Sequence, residues 1–338
     1  MTIPHPLERR PEAPALRTET FALRLLAPAF LGNATQEAQW RTPPLKALLR
    51  AWWRLVSAGE LLRAGVPGDH LHEHVREREG ELFGQAFEAK SGQSRVRLRL
   101  SSWAPGKPWN AGRGPKVPGN PPFDAFVYTA FGPLAMKNST PRTDLEAGSA
   151  VKLTVTAPDA DWPQLEQALG LIHLFGTIGS RNRNGWGSLA LDPAPATDLS
   201  QVTRDWKACL GLPWPHALGQ GLRWRSRKTF GDWGQAMTEA ARLRKQLNLA
   251  VVNTVGSPSE RHLLSLPVTK NMLDDKNERW ASQLRFKLCA GDRDARQLRL
   301  HAFQLPCAFP FPLPGVDPVA VWEKVHRAMT VNGMEIEQ

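Results

Sequence analysis

Lys46, Arg50 and Arg54 stand four residues apart in a stretch that opens with Thr42, Pro43 and Pro44. With Lys46 at zero on a helical wheel, Arg50 falls near about 40° and Arg54 near about 80°. Leu48, Leu49, Trp52, Leu55 and Val56 fall on the opposite arc. Such a helix packs one side on a core and shows a row of cations about 5.4 Å apart on the other. Like charges at this spacing repel by a few tenths of a kcal/mol, and a polyanion would relieve them; a solvated basic face fits the helix equally well. A second set lies in Gly179, Ser180, Arg181, Asn182, Arg183, Asn184, Gly185, Trp186 and Gly187. Its glycines permit close backbone approach, its arginines are bidentate phosphate donors, and Trp186 fits either stacking on a base or simply packing. The spacing is neither that of a Walker loop nor GxGxxG.

Other chemistry is less well supplied. His70, His72 and His74 alternate in a polar stretch, read as surface histidines in a loop, and Cys ligands for a metal are missing nearby. His173 sits among apolar residues of a helix and reads as a core histidine. Asp274 and Asp275 read as part of a hydrated loop over 270–278. No GxSxG or HExxH occurs. Cys209, Cys289 and Cys307 stand too far apart for a zinc ribbon or a disulfide framework, which points to a reducing cytoplasm. No catalytic residue, metal or cofactor is expected.

The elements that must position these residues follow from hydrophobic spacing. Alternation predicts strands over 20–26, 96–100, 123–131, 150–156 and 188–191. Helices are predicted from a Thr42 cap to about Ala58, stopping at Gly59, and from Asp161 through Ile172. Residues 101–122, dense in Gly and Pro, read as a long irregular loop and a hint of a partner contact. The order gives an α+β fold on the ferredoxin-like βαββαβ plan with insertions. Pro193, Pro195 and Thr197 mark a boundary between a first domain, 1–195, and a second, 196–338. In the second, helices are predicted over 232–249 and 319–329, and strands over 263–268, 284–289 and 298–303. A second ferredoxin-like unit fits this order, although no sequence repeat proves it.

Composition narrows the partner. In 338 residues, 43 Lys+Arg against 32 Asp+Glu leave a net charge of +11, and nucleic acid is the first candidate. No apolar run approaches membrane-spanning length, and 1–12 is polar without a signal-like apolar core.

The segment Leu25-Leu26-Ala27-Pro28-Ala29-Phe30-Leu31-Gly32, the run from Trp40 and Arg41 through Lys46, Arg50, Trp52, Trp53 and Arg54, Glu81-Leu82-Phe83-Gly84, and the glycine-rich loop together resemble the RAMP superfamily of CRISPR effector proteins. The likeness is nearest to the first RAMP subunit of the type III-B (Cmr) RNA-targeting complex, and its landmarks lie in the first 190 residues or so. Ala47 stands where that family carries Gly. The resemblance implies two ferredoxin-like domains and a non-catalytic, RNA-binding place in a cytoplasmic ribonucleoprotein of antiviral defence. The partners would be guide RNA near its 3′ end, target RNA and other RAMP subunits, with no membrane. It makes Arg41, Lys46, Arg50, Arg54 and the loop from Gly179 to Gly187 RNA-facing. The rival is a metal-independent endoribonuclease processing CRISPR transcripts, which needs a general base such as His173 or a member of the 70–74 cluster.

Overall fold

The computed structural model describes residues 14–86, 92–134, 141–254, 258–266, 268, 280–291, 294, 296–311 and 313–337. Residues 1–12 and the stretch 270–278 with Asp274 and Asp275 lie outside them.

Four strands build the first sheet: β1 (Leu16–Leu25), β2 (Arg97–Leu100), β3 (Ala150–Pro158) and β4 (Leu189–Asp192). Their order is β2–β3–β1–β4, with every neighbour antiparallel. The period-two pattern sets the faces. Phe21, Leu23 and Leu25 point into the core, where Leu23 pairs with Val151 and Leu191. Helices α1 (Thr42–Arg63) and α3 (Trp162–Phe175) share that core through Leu49, Trp52, Trp53, Leu165 and Leu169, and helix α2 (Gly68–Phe83) lies against α1. The opposite face of the sheet is bare: Thr18, Thr20, Ala22, Arg24, Arg97, Arg99 and Lys152 are exposed on it.

The second sheet repeats the order: β5 (Arg223–Ser226), β6 (Leu284–Ala290), β7 (Leu298–Gln304) and β8 (Met334–Ile336) run β6–β7–β5–β8, all antiparallel. Helices α4 (Trp233–Leu249) and α5 (Pro318–Val331) cover one face, packing Ala240, Met237, Trp322 and Val325 on Trp224, Phe286 and Leu300. The other face turns toward the first half of the chain. Phe303 there stacks near Trp52 and Phe175, at ring separations of 5.9 and 4.9 Å. The buried Lys287 ammonium donates to the carbonyls of Ile172 (3.1 Å) and His173 (2.5 Å). Those carbonyls lie in the last turn of α3, where the helix dipole is negative, and the Ile172 carbonyl also accepts from the Gly176 amide at 2.7 Å. Burial pushes the Lys287 ammonium down to about 8, and the two carbonyls hold the charge that remains.

Several sequence expectations need correction. Residues 70–74 are not loop: they open α2, whose buried stripe Leu71, Val75, Glu79, Leu82 and Phe83 is hidden among charged neighbours, and all three histidines are exposed. Helix α1 passes through Gly59 to Arg63, because the missing side chain admits the Gln201 carbonyl, which a Cβ would strike. Arg41, not Thr42, is its N-cap residue, and no side chain caps it. The strand expected over 123–131 is two residues, Phe123–Asp124, and then the short helix Ala125–Thr129. Asp124 makes the switch, its Oδ1 accepting from the amides of Phe126 and Val127, both at 3.0 Å. The first part of the strand expected over 263–268 is a helical turn, Arg261–Leu264, closed by Ser259 and His262.

Candidate nucleic-acid interface

The α1 cations are presented as their spacing requires, but they are not unaccompanied. Glu79 reaches them from the buried stripe of α2. Its Oε1 lies 2.5 Å from the Arg50 Nε, and its Oε2 lies 2.6 Å from the Arg54 Nε. Burial pushes the Glu79 carboxyl up, but the hydrogen bonds from Arg54 and Arg50 outweigh it and hold the group below the usual carboxylate range. The anion that relieves helix repulsion is thus partly internal. One carboxylate cannot neutralise two guanidiniums and a lysine, and Lys46 remains, its ammonium lowered by burial and by Arg50.

These residues form one wall of a cleft of about 1010 Å³. Helix α2 adds His72 and Arg76, the segment before β5 adds Trp214, and the second sheet adds Arg285 and Leu305. Among the described residues, five of the lining side chains are Lys or Arg, and Glu79 is the one lining carboxylate. His72 meets Trp214 edge-on at 5.8 Å, so an indole face borders the cationic wall.

Arg285 was not legible as a site residue. It sits in an apolar-looking strand, and only pairing β6 with β7 turns it toward the first half, opposite Phe303. Its Nε is sealed from solvent and has no hydrogen-bond partner. Burial pulls its guanidinium down to about 9, and the charge of Arg183 adds to that push. A cation held this way lacks a counter-ion among the described residues, and an anion entering the cleft would supply one.

The glycine-rich loop divides. Asn184, Gly185, Trp186 and Gly187 are buried. Trp186 has no exposed surface: its Nε1 donates to the Thr129 hydroxyl at 3.1 Å, and its ring sits among Phe30, Trp109, Phe126 and Trp233. It therefore offers no face to a base. Asn184 is likewise spent, donating to the Thr129 carbonyl at 2.6 Å. The amides of Ser180, Asn184, Gly185 and Gly187 bond to Phe30, Arg181, Asn182 and Pro28 carbonyls, so they cannot cradle phosphate. Gly187 has φ +66°, and a Cβ there would strike the Ile178 carbonyl. Gly179, Ser180 and Asn182 are half-buried, and Arg181 and Arg183 are exposed.

The loop also ties the two halves together. The Arg183 carbonyl accepts from the Phe286 amide at 2.9 Å, and Ser188 Oγ accepts from the Leu288 amide at 2.8 Å. Arg183 thereby comes near enough to Arg285 for its charge to act on it, but neither Arg183 nor Arg41 lines the cleft. His173 is turned inward, its Nδ1 at 3.0 Å from the Leu191 carbonyl, and burial lowers its pKa. Among the described residues no three His, Cys, Asp or Glu side chains gather to hold a metal, and no helix is long and apolar enough to cross a membrane.

A sheet-and-helix unit with a cationic α1 and a glycine-rich loop is a recognisable class, and the sequence assigns it: residues 23–190 belong to the RAMP superfamily. No curated protein matches the sequence. Among solved structures the chain is similar to Cmr1 from Pyrococcus furiosus in its apo form. The likeness covers 92% of this chain and 96% of that one at 16% identity, with a TM-score of 0.51. At that identity the likeness is one of fold, and it extends well past the family-matched half.

Proposed function

We propose that the chain is a non-catalytic RNA-binding subunit of a type III-B CRISPR ribonucleoprotein, holding guide RNA toward its 3′ end or the matching target RNA, beside other RAMP subunits in the cytoplasm. One observation carries the reading. Lys46, Arg50, Arg54, Arg76 and Arg285, from three separate elements, converge on one cleft against, among the described residues, the single carboxylate of Glu79. In this reading the cations hold backbone phosphates, Trp214 borders the bases, and guide pairing supplies the sequence specificity. Each half is read as a ferredoxin-like βαββαβ domain, supported by the shared strand order, with the boundary near residue 195.

The test is to sequence the RNA that co-purifies with the tagged chain from its native lysate. Short RNAs with a common repeat-derived 5′ end and varied spacers are expected; unrelated RNA, or none, overturns the reading. In vitro, Lys46→Ala/Arg50→Ala/Arg54→Ala should flatten the salt dependence of single-stranded RNA binding by about two, roughly 0.7 for each phosphate no longer neutralised. Cleavage of repeat RNA in EDTA that disappears in a His173→Ala variant would instead make the chain a processing endoribonuclease.

A further inference from the structure

Arg181 does not point where Arg183 does. Hydrogen bonds fix its neighbourhood. The glycine-rich loop is pinned to the short helix Ala125–Thr129 by Asn184 and Trp186, both bonded to Thr129. Tyr128 on that helix accepts from the Asn248 side chain at 2.7 Å. The Asn248 carbonyl accepts from the Arg261 Nη1 at 2.9 Å. Arg244 lies one turn before Asn248 on α4, half-buried. Arg181, at φ +58°, approaches from the loop and lies near Gly132. Three guanidiniums and the chain's single tyrosine hydroxyl are thus assembled from four segments.

No ion pair of Arg181, Arg244 or Arg261 with a carboxylate is formed among the described residues. The adjacent Glu260 is committed elsewhere, its Oε1 to Lys324 at 2.5 Å and its Oε2 to the Val252 amide at 2.9 Å. The arginines also act on one another: burial lowers Arg244 first, and the charges of Arg261 and Arg181 lower it further. A half-buried guanidinium between two others, with only a phenol and a backbone carbonyl beside them, is a cluster of positive charge without an anion among the described residues.

We propose that Arg181, Arg244, Arg261 and Tyr128 form a second anion site that takes a backbone phosphate of the strand held in the cleft. The proposal rests on the RNA reading above. Arg181 and Arg183 are two residues apart, at most about 7 Å along the chain, and lean to opposite sides of the loop. The charge of Arg183 acts on Arg285, which lines the cleft, and the charge of Arg181, beside Gly132, acts on Arg244. The loop is then a saddle over which one strand passes between two cationic seats.

The experiment measures binding of a labelled single-stranded RNA to the full-length chain across a salt series. It compares the wild type, Arg181→Gln, Arg244→Gln and the triple cleft substitution. Arg181 is exposed, so its variant tests the proposal even if Arg244→Gln fails to fold. Arg181→Gln is expected to weaken binding about fivefold and to flatten the salt slope by about 0.7. Unchanged affinity and slope in Arg181→Gln, with the cleft variant still weakened, would overturn this site and leave the RNA reading standing. Absence of RNA binding by the wild-type chain would overturn both.

Discussion

Replacing Arg285 with Met should make the free protein more stable and the RNA complex weaker. In the fold burial pulls its guanidinium down to about 9, well below the ordinary arginine range. A depressed value on a base means that the folded state binds the proton less tightly than the unfolded chain. The penalty is therefore complete at neutral pH and is relieved only as pH rises through about 9. A buried cation without a partner costs several kcal/mol. Water and mobile anions in the open cleft return part of that, so about 1–3 kcal/mol is expected from the substitution. In a chain of this size, that raises the melting temperature by a few degrees. The assay is thermal unfolding at pH 7 in low salt, with and without inorganic phosphate. Phosphate should stabilise the wild type more than the variant, and the variant should lose RNA affinity. A variant that melts lower than the wild type and binds RNA unchanged would refute the argument that Arg285 awaits an anion.

Three further outcomes follow from the same structure. Glu79→Gln removes the carboxylate that pairs Arg50 and Arg54 in the cleft, so RNA affinity should rise about fivefold while stability falls by about 1–3 kcal/mol, read by anisotropy and by melting. Trp186→Ala should cost about 3–5 kcal/mol of stability, as for a fully buried indole; a variant with native melting and weaker RNA binding would return Trp186 to a stacking role. Burial and the charge of Glu146 push the buried Asp144 carboxyl up to about 6 from 3.8. Asp144 therefore costs stability above its folded value, and the cost fades as pH falls through it toward 3.8. Asp144→Asn should stabilise by about 1–2 kcal/mol at pH 8 and by little at pH 4, measured as the pH dependence of urea midpoints.

The parts legible in the sequence were those whose signal is local. The strands around Phe21, Leu153 and Leu300 and the helices bearing Trp52 and Leu165 declared themselves by period, and the α1 cations landed on the side the wheel assigns. What stayed hidden depends on partners distant in the chain. Glu79 looked like one more charge in a polar run until α2 laid it against Arg50 and Arg54. Arg285 is turned into the cleft only by strand pairing. Trp186 misled in the other direction: a tryptophan between two glycines looks available, yet its ring closes an aromatic cluster gathered from residues 30, 109, 126 and 233.

The bare side of the first sheet has a consequence for assembly. Within the chain, helices of the first half cover the sheet of the second half, with Trp52 and Phe175 against Phe303. Such a head-to-tail arrangement does not close on itself, and a series of equal units would stack without limit. On the corresponding side of the first sheet, Arg24, Arg97, Arg99 and Lys152 stand where such an apolar helix would have to sit. An apolar surface laid on those four side chains would have to strip them of water, whereas a polyanion would not.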